Sequence, residues 1–213
     1  SDKKLFIDFG CSDGLENNTT NLLHQGYSGL WLDWDDKNIN LIKENMADFI
    51  NSGQLIVLLE KVTAENINGI IASYVAMKNK EIVLLSIDTD YNDYYIWQAI
   101  TCIEPEIVVI EYNPCWRPPI SKVIKYDAEK FWDGSNYFGA SLSAMEKLGK
   151  EKGYTLVACT MTGANAFFVK NEHAKLFQLT PELYNADIFY EPARYDLKVN
   201  VGHRGGYGVW QDV

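Results

Sequence analysis

Leu5-Phe6-Ile7-Asp8-Phe9-Gly10-Cys11-Ser12-Asp13-Gly14 decides the fold of this chain. Its first five residues have the length and the β-branched and aromatic content of a buried strand. The run ends at Gly10 and Gly14, and a helix-like stretch, Leu15 to Gln25, follows. A strand that breaks at glycines and restarts as a helix leaves backbone N–H groups pointing outward at the helix start. Glycine there lets a ligand approach the main chain with no Cβ in the way. About 20 residues on, a second apolar run, Gly29-Leu30-Trp31-Leu32-Asp33, ends in an acid, as expected of a carboxylate that grips a ribose diol. The unit reads as a nucleoside-binding βαβ. A plain crossover whose glycines serve only the turn is the alternative.

Outward from this unit the pattern is alternation. Asp36 to Asn51 reads as an amphipathic helix, Gln54 to Leu59 as a strand, and Glu65 to Met77 as a helix. The apolar run Ile82 to Ile87 leads into Asp88, a helix is expected over Asn92 to Ile103, and the strand Ile107 to Ile110 leads into Glu111. Near-continuous apolar strands separated by helices predict an α/β, Rossmann-like, doubly wound and mostly parallel sheet covered on both faces. Ligands bind such sheets beyond the carboxyl ends of the strands. Asp8, Asp33, Asp88 and Glu111 lie at or near those ends. A helix over Gly139 to Lys152 and strands Tyr154 to Cys159 and Ala166 to Val169 predict an antiparallel C-terminal hairpin.

The 213 residues suit one sizeable domain, 1–213, with a core over about residues 5–170. Residues 113–138, rich in proline and aromatic side chains, read as a lid-like insert, and 172–213 as an irregular tail. Trp116, Arg117 and Tyr137 in the insert are candidate substrate contacts, with a satellite core under a long loop as the alternative. Four scattered cysteines with no C-x-x-C pair suggest reduced thiols and a cytoplasmic setting. The net charge is −10, and no basic cluster is present. Nucleic acid is therefore a poor partner. No apolar run approaches the roughly 20 residues of a membrane span, so no membrane partner is expected. A small molecule or carbohydrate fits better, and the glycine-rich tail leaves room for a homo-oligomer.

The loop spacing separates one nucleoside from another. A dinucleotide fingerprint needs G-x-G-x-x-G; this chain has Asp8-x-Gly10-x-x-x-Gly14. That pattern resembles motif I of class I S-adenosylmethionine (AdoMet) methyltransferases. Leu85-Ser86-Ile87-Asp88-Thr89-Asp90-Tyr91-Asn92-Asp93-Tyr94 and Pro105 to Glu111 resemble the second half of the FkbM-type enzymes. Gly153-Tyr154 and Asn165-Ala166-Phe167-Phe168 resemble their final hairpin. The loop after the fourth strand departs from that family's Asp-x-Glu-Gly core. The resemblance implies the class I methyltransferase fold, AdoMet as cofactor, and O-methylation of a small-molecule or sugar-like acceptor. It places Asp8, Gly10, Cys11, Ser12, Asp13 and Gly14 against the methionine half. Asp33 and Trp34 would hold the ribose and adenine edge, and Thr63, Ala64 and Glu65 would flank the adenine. Thr63 and Glu65 also suit a helix start.

Asp88, Asp90 and Glu111 carry the chemistry. Methyl transfer to a hydroxyl needs its proton removed as charge develops, which a carboxylate of raised pKa performs. A second route is Mg²⁺ held by Asp88, Glu111 and Asn113, acidifying the hydroxyl. In a third, Asp90 or Asn92 caps the next helix and Asp88 touches only the cofactor. Two other functions remain open. Asp88-Thr89-Asp90 is the Asp-x-Asp of a metal-dependent glycosyltransferase, and the fold also serves non-catalytic binding modules.

Overall fold

The computed structural model describes residues 5–15, 17–78, 81–194, 203 and 205–213. Seven strands form one sheet in the order β3-β2-β1-β4-β5-β8-β7. They are β1 (Leu5–Phe9), β2 (Ser28–Asp33), β3 (Leu55–Leu59), β4 (Ile82–Ile87), β5 (Ile107–Glu111), β7 (Tyr154–Cys159) and β8 (Asn165–Lys170). β1 pairs in parallel with β2 and β4, β2 pairs in parallel with β3, and β7 and β8 are antiparallel. The predicted α/β class, parallel sheet and final hairpin are all present. Among the described residues, no helix is long and apolar enough to cross a membrane.

The chain divides into two compact units, Ser1–Thr89 with Ala99–Val108, and Asp90–Gln98 with Val109–Val213. In the first, every residue of β1 is buried. α1 (Thr20–His24) is shorter than the predicted 15–25 helix. Local side-chain bonds hold the chain ahead of α1 out of the helix: the Asn17 carboxamide oxygen accepts from the Thr19 and Thr20 amides, and Thr20 Oγ1 donates to the Gly14 carbonyl. Such bonds compete with the helical ladder. The predicted 36–51 helix is two helices, α2 (Asp36–Asn45) and α3 (Ala47–Asn51), parted where Met46 leaves helical geometry at φ −114°. Ile39 and Ile42 of α2 join Phe6, Cys11, Leu23, Trp31, Met46 and Leu55 in one core. α4 (Ile67–Lys78) begins two residues later than predicted.

The second unit contains α5 (Asp93–Ala99) up to Gln98, α6 (Leu142–Glu151) and the hairpin β7–β8. Gly149 of α6 lies so close to Phe168 that an added Cβ would stand 2.8 Å from the ring, and Trp97 stacks at a tilt on Phe168, centroids 4.9 Å apart. The stretch 172–213, expected to be irregular, holds two 3-10 helices (Asn171–Phe177, Pro181–Leu183), α7 (Ala186–Phe189) and β9 (Trp210–Asp212). β9 pairs antiparallel with β6 (Lys122–Ile124) of the insert, and Lys122 reaches Asp212 at 2.6 Å.

Candidate functional site

Two places collect the residues singled out from the sequence, one in each unit. In the first unit, the loops after β1, β2, β3 and β4 leave from the carboxyl ends of adjacent parallel strands and so share one edge of the sheet. Gly10 and Gly14 both adopt left-handed backbone, φ +77° and +80°. A Cβ on Gly10 would sit 1.6 Å from the Asp88 carbonyl oxygen, so the β4 end packs directly on the bare loop. Asp33 is 4% exposed. Its carboxylate accepts from the Ser12 amide (3.1 Å), the Asp35 amide (2.9 Å) and the Asn38 carboxamide (3.2 Å). The acid after β2 therefore fixes the glycine loop after β1. Ser12 is exposed at the loop crest, and Trp34 is half exposed beside Asp33.

Asp8 points the other way. Its carboxylate accepts from Thr19 Oγ1 (2.7 Å), whose oxygen accepts in turn from the Trp31 indole (2.8 Å). Burial pushes the Asp8 pKa up to about 7, against the opposing pull of hydrogen bonds from Thr19 and Ser86. The Cys11 thiol is buried, donates to the Asp8 carbonyl, and is pushed well up by burial and by Asp8 and Asp33, which makes it unreactive. Asp13 accepts from the Leu15 amide, and its carbonyl accepts from Asn45. Thr63 exchanges hydrogen bonds with Asn66: its amide donates to Oδ1 (2.8 Å), and its hydroxyl accepts from the Asn66 amide (3.3 Å). That reciprocal pair is a helix-capping arrangement. Ala64 and Glu65 follow in the same turn, with Glu65 exposed.

In the second unit, Asp90, Glu111, Tyr112, Pro114, Trp132, Phe138, Gly163, Ala164 and His203 line a recess of about 150 Å³. Asp90 holds left-handed backbone at φ 64°. Carboxylate oxygens of Asp90 and Glu111 lie within 4.8 Å of each other. Trp132 is held by its indole N–H on the Ser135 carbonyl (2.6 Å), and the His203 ring meets Trp132 and Phe138 edge-on, with centroids 4.8 and 5.4 Å away. Loss of solvation lowers the His203 pKa. The Tyr112 hydroxyl donates to the Glu191 carbonyl (2.7 Å), and burial raises its pKa.

The other insert residues serve the loop itself. Asn113 is fully buried; its Nδ2 donates to the Asn136 and Phe138 carbonyls and its Oδ1 accepts from the Cys115 amide. Tyr137 donates to the Val209 carbonyl (2.8 Å) and packs between Tyr91 and Trp210. Trp116 packs edge-on against Trp210, and Arg117 hydrogen-bonds Tyr190. None of Asn113, Trp116, Arg117 and Tyr137 is among the described residues of the recess wall. Asn92, the residue before α5, donates from its side-chain amide to the Asp127 carbonyl (2.9 Å), a tie to the insert. The sequence reading missed Tyr112, Trp132 and Phe138 as wall residues, and Asn17 and Thr19 as supports of the glycine loop. The aromatic richness of 113–138 is the available signal for Trp132 and Phe138; for His203, in the glycine-rich tail, the sequence leaves a fold back over a pocket open beside a frayed terminus or an oligomer arm, and the structure has it in the wall.

No protein-family model matches the chain, and no curated protein matches it. Among solved structures it is similar to an O-methyltransferase family protein from Burkholderia thailandensis, with TM-score 0.50 and 9% identity, over 78% of this chain and 50% of that one. It is also similar to a Staphylococcus aureus protein assigned as a caffeoyl-CoA O-methyltransferase, with TM-score 0.50 and 13% identity, over 79% and 76% of the two chains. The chain thus spans half the length of the Burkholderia protein. At these identities the likeness establishes the fold, an α/β sheet of the class I methyltransferase type.

Proposed function

We propose that this chain is an AdoMet-dependent O-methyltransferase of the FkbM type, acting on a small-molecule or sugar-like acceptor. The observation that carries the reading is the Asp33 carboxylate bound to the Ser12 amide beside a bare, left-handed Gly10. Gly10 is bare because the Asp88 carbonyl packs on it, and the exposed crest beside it at Ser12 offers main-chain groups to a polar ligand. The residues thus fit the cofactor. AdoMet, when bound, supplies an electrophilic methyl group on a sulfonium. Gly10 to Gly14 would hold its methionine half, Asp33 its ribose hydroxyls, and Trp34 its adenine edge, with Thr63 to Glu65 beyond. Asp8, turned into the core, would act by fixing the loop through Thr19.

For the acceptor, the recess of Asp90 and Glu111 is the candidate. Their carboxylates are the groups placed there to take a hydroxyl proton as charge develops on the acceptor oxygen. Asp88, packed on Gly10, would orient the cofactor side. With both its side-chain groups in backbone bonds, Asn113 reads as a loop clamp, so a Mg²⁺ route would rest on acids alone.

Calorimetric titration with S-adenosylhomocysteine, with and without EDTA, tests the reading. Micromolar binding that disappears in Asp33→Ala is the expected result, and loss with EDTA would assign a metal. No binding under either condition would overturn it; UDP-sugar binding with Mn²⁺ would then transfer the assignment to a glycosyltransferase, and binding of neither nucleoside to a non-catalytic module.

A further inference from the structure

The seven-stranded sheet ends in two edge strands, β3 and β7, and they are finished differently. β7 is interrupted by a register shift between Leu156 and Ala158, and the 3-10 helix Asn171–Phe177 and α7 pack against it. A bulge and a covering segment are two of the devices that keep an edge from pairing. β3 has no bulge, charge or proline: Leu55-Ile56-Val57-Leu58-Leu59 runs in unbroken register with β2. The Gly29 amide donates to the Gln54 carbonyl and the Glu60 amide to the Asp33 carbonyl, so the even-numbered residues of β3 turn their backbone to β2. Leu55, Val57 and Leu59 therefore turn their amides and carbonyls outward, and among the described residues no hydrogen bond reaches them there. At the end of the strand Leu58 and Leu59 are 39% and 52% exposed.

We infer that β3 is an interaction surface and that its partner is a second copy of this chain, joined β3 to β3 in antiparallel about a two-fold axis at Val57. In that register Val57 meets Val57 of the second copy, Leu55 meets Leu59, and Ile56 meets Leu58. Every cross-strand pair is aliphatic, and the strand is its own complement. Leu55, Val57 and Leu59 become the hydrogen-bonded positions, each exchanging an amide and a carbonyl with the residue opposite. Charge selects the same arrangement. Within residues 54–60 the only charge is Glu60. The antiparallel register sets it opposite the uncharged Gln54, next to Gly53, whose carbonyl holds the Lys78 ammonium (3.2 Å). A parallel, in-register pairing would set Glu60 against Glu60. Any extended peptide would satisfy the hydrogen bonds, but only a second copy brings this register with them.

Sedimentation velocity over a concentration series, with amide hydrogen exchange measured at each concentration, tests it. The expected result is a dimer whose formation slows exchange at Leu55, Val57 and Leu59. Ile56 and Leu58, bonded to β2, are expected to be protected at every concentration. Leu58→Lys, at a partly exposed side chain, is expected to fold like the parent and to weaken the dimer at least roughly tenfold. It sets a charge against Ile56 of the second copy and a like charge diagonally across the axis. A monomer at every concentration would overturn the inference. So would a dimer whose formation leaves exchange at Leu55, Val57 and Leu59 unchanged, or a folded Leu58→Lys that dimerises like the parent. Protection of those three amides in a monomer would mean that another segment already covers the edge, which overturns it too. The exchange pattern of the parent decides the matter even where Leu58→Lys does not fold, and no step of the test depends on the cofactor.

Discussion

The glycine loop and the carboxylate recess are built in opposite ways. Between Asp8 and Asn38 the loop is closed by bonds within that one stretch: Ser12 to Asp33, Gly14 to Cys11, Thr20 to Gly14, Thr19 to Asp8, with the Asp88 carbonyl packed on Gly10 from outside it. The recess gathers residues 90, 111, 112, 114, 132, 138, 163, 164 and 203, with long stretches of chain between several of them. Its last wall arrives on a returning segment. Tyr137 carries that return: an added Cβ on Gly208 would stand 2.0 Å from its ring, and the Gly206 amide donates to Asn136. A region of local bonds tolerates loss of a distant segment. One assembled from far-apart pieces depends on the clamps that bring them together.

Four substitutions sharpen this contrast. Gly10→Ala should be the most damaging, costing more than about 4 kcal/mol, because the backbone conformation and the Asp88 carbonyl both exclude a methyl group. Loss of the cooperative thermal transition, or of soluble protein, is the expected reading; a melting curve like the parent's would mean the loop is not packed on β4.

Asp8→Asn is next, and its effect depends on pH. The folded-state pKa of about 7 lies above the ordinary 3.8, so the folded protein holds the proton longer than the unfolded chain. Stability tied to Asp8 is full below pH 3.8 and is lost as pH rises through 7. At about 1.4 kcal/mol per unit, the loss approaches ~4 kcal/mol. Chemical denaturation between pH 4 and 8 should fall more gently in the variant, which would then be the more stable protein at pH 8. Parallel curves would show that Asp8 ionises normally.

Gly208→Ala addresses the other region. Forcing a Cβ against Tyr137 should loosen the returning segment at a cost of about 1–3 kcal/mol. S-Adenosylhomocysteine binding should be unchanged while Trp210 fluorescence shifts; equal damage to both readouts would dissolve the distinction between the regions. Thr63→Ala should be mildest, about 1 kcal/mol for a lost helix cap. A large loss of cofactor affinity from that change would instead favour an adenine contact.

The same contrast explains what was legible in the sequence. Period, glycine and terminal acid are local signals, so β1, β2, the parallel sheet and the Asp33 position could all be read directly. Local competition was harder to read. Asn17 takes two amides that a helix would have used, so α1 starts at Thr20 instead of Leu15. The recess was least legible, because membership depends on topology. Tyr137 and Trp132 are both insert aromatics five residues apart, yet one clamps the returning segment and the other walls the recess. Nothing in composition separates them. His203 sits near glycines in the tail, and the fit of Gly208 over Tyr137, the Gly206–Asn136 bond and the pairing of β9 with β6 give that end a place.

The hydroxyl of Thr19 touches both the Asp8 carboxylate and the Trp31 indole, so a charge at one end of this short chain is felt at the other. An indole in a fully dry setting changes its emission when a neighbouring charge appears. Trp31 is therefore a resident optical indicator of Asp8, and the emission difference between the parent and Trp31→Phe should trace that proton as it leaves near neutrality.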